Sequence, residues 1–155
     1  MKIIVASDSH YERVMLMNLA QEINRRGDVD AVIHLGDMVG DADWLRRSLP
    51  QPVYSVPGNC DMQFGPSAEQ VVTLGGVTML LCHGHTHRVK YALEPLSYHA
   101  EAVGASVALF GHTHARCVQN LGGVLLVNPG ALKDGRYALL EIENGGVRPP
   151  QMLTL

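Results

Sequence analysis

The sequence predicts an α/β fold in which two stacked mixed β-sheets are flanked by helices. Two patterns carry that expectation. Through the first half, short apolar runs rich in β-branched residues alternate with helical stretches. The second half is rich in short strands, with glycine pairs marking its tight turns.

Residues 2–7 form an apolar run that reads as a buried strand and stops at Asp8-Ser9-His10. The helix that follows spaces Met15, Leu19 and Ile23 four apart as its inner stripe. Arg25 and Arg26 suit its negative C-terminal end, and Gly27 suits its cap. Residues 31–35 make a second strand, ending at Gly36-Asp37. A short helix passes through Asp43-Trp44-Leu45-Arg46 and ends before Pro50 and Pro52. Residues 53–56 make a third strand, ending at Pro57-Gly58-Asn59-Cys60-Asp61.

Residues 70–74 and 77–82 flank Gly75-Gly76 and read as a hairpin. A helix fits 94–103, with Pro95 in its first turn and Gly104 after it. Residues 106–110 read as a strand ending in Gly111-His112-Thr113-His114. Further strands fall at 116–120, 123–127, 136–142 and 147–153, with a hairpin at Asn144-Gly145-Gly146. At 155 residues the chain is long enough for one cored domain and short for two, so residues 1–155 are expected to form one domain.

Composition excludes several classes. Hydrophobic residues are 46% and aromatics 5%, so the core must be mostly aliphatic; with 17% charged residues the chain is not a disordered one. A net charge of −3 argues against a basic nucleic-acid platform. The pairs Arg25-Arg26 and Arg46-Arg47 read as solvated helix ends. Three cysteines without a CxxC argue against a disulfide framework or a zinc ribbon, and for a reducing, cytoplasmic setting. The first apolar run is too short for a signal peptide, and no run approaches the roughly 20 apolar residues of a membrane span.

Histidine is the informative residue. The tetrapeptide Gly-His-Thr-His occurs twice, at 84–87 and 111–114, and five of the eight histidines fall in or beside the two copies. Five strand-like runs end in loops that carry Asp8 and His10, Asp37, Asn59, His83 and His85, and His112 and His114. The crevice beyond the carboxyl ends of strands is where α/β sheets bind ligands. The i, i+2 spacing of Asp8 with His10 and of His112 with His114 would put each pair on one side of extended chain. Imidazole and carboxylate together suit metal binding and acid–base chemistry.

Taken one by one, these residues have ordinary structural readings. Asp8 can cap the first helix. Asn59, Gly36-Asp37 and Asn128-Pro129-Gly130 can be turn chemistry. His34 reads as a core histidine, His99 as structural or surface, and Cys82 and Cys117 as small hydrophobes. Asp61 either supports the site or caps a turn. Taken jointly, the set is hard to explain by packing.

The motifs Asp8-Ser9-His10, Gly36-Asp37, Gly58-Asn59-Cys60-Asp61, Cys82-His83-Gly84-His85 and Gly111-His112-Thr113-His114 resemble, in this order, those of the calcineurin-like metallophosphoesterases, and nearest their small single-domain bacterial and archaeal phosphodiesterase branch. The resemblance implies a four-layer αββα sandwich. It also implies a dinuclear site in which Asp8, His10 and His114 hold one metal, Asn59, His83 and His112 the other, and Asp37 bridges them. Two divalent ions are implied, manganese first, with iron, nickel or zinc also suited to nitrogen and oxygen donors. The implied reaction is hydrolysis of a small phosphate ester, with a diester expected first, by in-line attack of a metal-bridging hydroxide. Asp37 and Asn59 are the implied catalytic residues, and His85 is read as a third.

Many members of the wider superfamily have His where this chain has Cys60, and that His is thought to protonate the leaving group. His85 is the candidate replacement, on proximity in sequence, and His87 is expected to face solvent. The competing reading is a non-catalytic protein-binding scaffold of the same fold. A nuclease is a minor option, because no basic stripe is present and strong nucleic-acid binding is not expected. The oligomeric state is open, a homo-oligomer included.

Overall fold

The computed structural model describes residues 1–61 and 68–155. The elements are β1 (Lys2–Ala6), α1 (Arg13–Arg26), β2 (Ala31–His34), α2 (Val39–Ser48), β3 (Val53–Ser55), β4 (Glu69–Leu74), β5 (Val77–Cys82), α3 (Glu94–Ala102), β6 (Val107–Leu109), β7 (Cys117–Leu121), β8 (Val124–Asn128), β9 (Arg136–Glu143), β10 (Gly146–Val147) and β11 (Gln151–Thr154). A single 3₁₀ turn at Leu132–Asp134 precedes β9.

One sheet runs in the order β10-β9-β1-β2-β3, with β11 also paired to β9; the other runs β4-β5-β6-β8-β7. Both are mixed. Parallel pairs (β1 with β2, β2 with β3, β5 with β6, β6 with β8) run through both sheets and reach the β3 edge of the first; antiparallel strands close the other sides. The expected run at 147–153 is two strands, because Pro149-Pro150 offers no N–H to a ladder and leaves a gap between β10 and β11.

Strand alternation builds the layers. Ile3 and Val5 of β1 meet Met79 and Leu81 of β5, Leu109 and Val127 in a core between the sheets. Their neighbours Ile4 and Ala6 point the other way, onto Leu16, Leu19 and Ile23 of α1 and Leu45 of α2. Leu80 and Cys82 of β5 likewise turn outward onto Leu96 and Ala100 of α3. The result is four layers, helices–sheet–sheet–helix, with central strands apolar on both faces. Truncating a fully buried leucine here would cost about 2–5 kcal/mol.

Local details refine the sequence reading in two places. The buried stripe of α1 is Leu16, Leu19, Ala20 and Ile23, with Met15 at its margin. Arg46 does lie in the exposed last turn of α2, as read, but it is also anchored there: its guanidinium bonds Asp43, the Ser55 hydroxyl and the Val53 carbonyl, tying α2 to β3. Gly27 does close α1 in the left-handed region, at φ 67°.

Candidate metal centre

The loops after β1, β2, β3, β5 and β6 meet at one end of the two sheets. Asp8 and His10 follow β1, Asp37 follows β2, Asn59 and Cys60 follow β3, His83 and His85 follow β5, and His112 and His114 follow β6. The backbone there is not extended. Asp8, His10, Asp37, His112 and His114 all have positive φ, between 46° and 66°. The i, i+2 expectation therefore reached the right residues by the wrong geometry. Left-handed bends, not strand alternation, turn these side chains together. Such backbone is costly for non-glycine residues and persists only where the surroundings enforce it. Nor does Asp8 cap α1, whose N-cap is Glu12 without a side-chain cap bond.

Close backbone approach enforces it. A Cβ on Gly58 would collide with the Asp37 carboxylate and main chain, and one on Gly111 would collide with Ser7 and Asp8. Asp61 accepts the N–H groups of Gly58 (2.8 Å), Met38 (3.0 Å) and Val39 (2.8 Å), binding the loop after β3 to the start of α2. Asn128 donates to Gly111 O (2.8 Å) and Thr113 Oγ1 (3.0 Å), holding the second Gly-His-Thr-His in place. Asp61 and the Asn128 turn thus have positioning roles in which the turn chemistry serves the site.

Asp8, His10, Asp37 and His114 each offer a ligand atom within 4.8 Å of the others. The Nε2 atoms of His10 and His114 lie 3.4 Å apart, and His114 Nε2 is 3.1 Å from Asp8 Oδ1. Asp37 divides its oxygens: Oδ2 is 3.5 Å from His10 Nε2 and Oδ1 is 3.4 Å from His83 Nε2. His83 Nε2 also lies 3.1 Å from Asn59 Oδ1, and the rings of His83 and His112 are 5.1 Å apart.

The donor set fits metal ions. Leu35 O accepts from His83 Nδ1 at 2.7 Å, and a carbonyl can only accept, so this nitrogen carries the proton. The Nε2 lone pair then faces two oxygens, Asn59 Oδ1 and Asp37 Oδ1, and such a triangle needs a cation. Without a metal, that cation is a proton: burial opposes charge on His83, but Asp37 and Asp8 hold its pKa above the ordinary imidazole value. Asp8 Oδ1 is fully buried yet accepts no hydrogen bond. A buried carboxylate oxygen among imidazole nitrogens is costly unless something positive sits beside it.

Electrostatics support the same assignment. Burial pushes the Asp37 carboxyl up, but His83 and the Cys60 N–H (3.0 Å) outweigh it and hold it well below the usual range. Burial, with His83 nearby, brings His112 down to about 4, so its imidazole is neutral and ready to ligate near pH 7. Burial and Asp37 push the Cys60 thiol up, which keeps it protonated. His85 is lowered, first by burial and then by His83.

The site opens to solvent through a cleft of about 270 Å³ whose wall includes Asp37, Asn59, Cys60, Lys90, His112 and His114. Lys90 was missed by sequence reasoning. A lone lysine three residues beyond the first Gly-His-Thr-His carries no motif signal, and only the turns over 84–92 bring it round. The His85 ring lies 6.1 Å from that of His112, and its Nδ1 is buried without a partner among the described residues. His34 is a core histidine as expected. Gly36 N–H donates to its Nδ1 at 3.3 Å, so Nε2 carries the proton and meets Ser9 Oγ at 3.0 Å. His87, expected to face solvent, is largely covered, with 14% of its side chain exposed, and meets Glu69 Oε2 at 3.0 Å. Among the described residues no helix is long and apolar enough to cross a membrane.

Residues 1–145 match the family model for the calcineurin-like phosphoesterase superfamily domain. The chain is 35% identical over 150 residues to the probable metallophosphoesterase YsnB of Bacillus subtilis, covering 93% of this chain and 86% of that one. A conserved uncharacterized protein of Streptococcus pneumoniae, described as a predicted phosphoesterase, superposes with a TM-score of 0.80 at 30% identity, over 99% of this chain and 88% of that one. An archaeal phosphodiesterase (TM-score 0.77, 21% identity, 99% and 100% covered) and zinc-complexed Vps29 of Entamoeba histolytica (0.76, 22%, 99% of each) share the fold.

Proposed function

Because the chain belongs to the calcineurin-like phosphoesterase superfamily, we propose that it hydrolyses a small phosphate diester with two divalent metal ions, residues 1–155 acting as one catalytic domain. The observation that carries this reading is the divided carboxylate of Asp37, with one oxygen toward His10 and the other toward His83. Asp8, His10 and His114 would hold one ion, and Asn59, His83 and His112 the other, with Asp37 shared. The donors are all nitrogen or oxygen, which suits manganese first and iron, nickel or zinc after it. When bound, such ions polarise a phosphoryl oxygen and lower the pKa of water enough to supply a nucleophile at neutral pH.

The chain's own residues supply the rest. Lys90 at the cleft wall offers a positive charge to the phosphate. Asp37, held ionised, and neutral His112 are deprotonated near pH 7, whereas His83, with its raised pKa, gives up a proton when it ligates. The cleft is small and open, which favours a compact substrate. Two observations support a diester. A phosphodiesterase shares the fold, and the position after Asn59 carries a raised-pKa thiol, a weak proton donor for a poor leaving group. His85 remains the candidate donor. A scaffold that had abandoned catalysis would be expected to lose ligands, and here every position is filled.

The test is hydrolysis of an aryl phosphodiester by the purified protein with added Mn²⁺. Activity should vanish on chelation, return with Mn²⁺, and drop at least about 100-fold in Asp37→Asn. Full activity after chelation, or in that variant, would sink the reading.

A further inference from the structure

Outside the candidate centre, a second group of side chains converges: Glu69 from the start of β4, His87 from the loop after β5, and His99 from α3. His99 Nε2 lies 2.7 Å from Glu69 Oε1, and His87 Nε2 lies 3.0 Å from Glu69 Oε2. The two imidazole rings are 4.9 Å apart and inclined by 32°. One ligand atom from each residue lies within 4.8 Å of the other two. All three are partly exposed, so water can reach them.

We propose that Glu69, His87 and His99 form a separate, peripheral binding site for a zinc-class transition-metal ion. Two imidazoles and one carboxylate are a sufficient protein set for zinc, with water completing a tetrahedron. Zinc–ligand bonds near 2.0–2.1 Å place tetrahedral ligand atoms roughly 3.3 Å apart. The two nitrogen–oxygen separations, 2.7 and 3.0 Å, would open by roughly 0.3–0.6 Å to reach that spacing, a side-chain adjustment open to partly exposed groups.

The site has a structural consequence. β4 is an edge strand of its sheet, and Glu69 pairs in register with Cys82, the residue before His83. An ion here would pin α3 and the 83–92 loop to that edge, and the same loop carries His83, His85 and Lys90. With protons alone, two hydrogen bonds join Glu69 to the two imidazoles among the described residues. An ion replaces them with three bonds joining three segments distant in sequence.

Equilibrium dialysis of the full chain against Zn²⁺ tests this, with the thermal midpoint followed as Zn²⁺ is added. Wild type should bind one Zn²⁺ more than His99→Gln and show the larger rise in Tm, while His99→Gln keeps its Mn²⁺-dependent diesterase activity. Asp37→Asn, which damages only the candidate catalytic centre, should still bind the peripheral ion. Should that centre bind nothing, wild type would take up one ion and His99→Gln none, so the two ideas fail separately. Equal stoichiometry and equal Tm shifts in wild type and His99→Gln, repeated with Glu69→Gln in case one variant is poorly folded, would overturn the proposal.

Discussion

The main-chain N–H of His112 donates to Asp8 Oδ2 at 3.0 Å, joining the end of β6 in one sheet to the end of β1 in the other. Asp8 is fully buried and uses its oxygens for different ends. Oδ2 locks the two sheets at the site, and Oδ1 is left unpartnered among the imidazoles of His10, His83 and His114. The two functions can be separated by mutation. Asp8→Asn keeps an oxygen for His112 but loses the charge. It should weaken Mn²⁺ binding by about 10–100-fold, with a small change in stability. Asp8→Ala should also lose about 1–3 kcal/mol, because the His112 N–H is orphaned. Calorimetric Mn²⁺ titration and urea unfolding measure the two effects.

Acid should weaken the fold through His34. This ring is fully buried, and burial brings its pKa down from 6.5 to about 4. The unfolded chain therefore takes up a proton between those values while the folded chain does not. The stability is fully present above about 6.5 and declines as pH falls toward 4, by on the order of 3 kcal/mol for this group. His112 titrates in the same direction. Unfolding free energy measured from pH 4 to 7 should have a shallower slope in His34→Gln. An unchanged slope would exclude His34 as the cause.

Metal binding should respond to pH through His83. Its pKa is raised, so protons compete with metal from above the ordinary imidazole range downward. Mn²⁺ affinity and diesterase rate should both begin to fall while the pH is still above about 6.5, the ordinary imidazole value, and should go on falling below it. Paired affinity and rate profiles check this, and a rate that falls while affinity stays constant would point to a different titrating group.

The proton donor to the leaving group can be located with two variants. Cys60→His places an imidazole on the cleft wall and should raise kcat about tenfold for esters with poor leaving groups, with little effect on activated aryl esters. His85→Ala should lower kcat for poor leaving groups by about 10–100-fold if His85 donates. The slope of log kcat against leaving-group pKa reports both. A His85→Ala slope equal to wild type would exclude His85.

Lys90 should act on binding more than on chemistry. Lys90→Ala removes a charge from the cleft wall and should raise KM several-fold with kcat within about twofold. The effect should shrink at high salt, because the charge is solvent-facing. Steady-state kinetics at two ionic strengths decide it.

Gly111 tests how tightly the loops fit. Its φ is not positive, so alanine is allowed by the backbone, yet the new Cβ would enter the space of Ser7 Oγ and sit 2.7 Å from Asp8 Oδ2. Gly111→Ala should cost about 1–3 kcal/mol in unfolding free energy and reduce Mn²⁺ affinity as His112 and His114 shift.

Much of this was legible in the sequence because the signals are local. Apolar runs of four to six residues, closed by Asp, Asn or His, marked β1, β2, β3, β5 and β6 to within a residue or two. Ordered motifs then picked out the residues that meet in space. What failed shows where locality ends. His87 read as solvent-facing because its partners, Glu69 and His99, come from other elements. The anchoring of Arg46 went unseen because Ser55 and Val53 lie on β3. Lys90 had no motif and emerged only from the path of its loop.

By itself, the sequence determined the strand and helix periods, the aliphatic core and the set of histidines and carboxylates. Those follow from side-chain chemistry and from repeats of two and 3.6 residues. The tertiary structure decided which face of each doubly apolar strand meets the other sheet, and it enforced the left-handed bends at Asp8, His10, Asp37, His112 and His114. It also gave the oxygens of Asp8 and Asp37 their separate tasks. Those outcomes depend on contacts between residues up to about a hundred positions apart, such as His112 with Asp8, and such contacts exist only once the two sheets have packed.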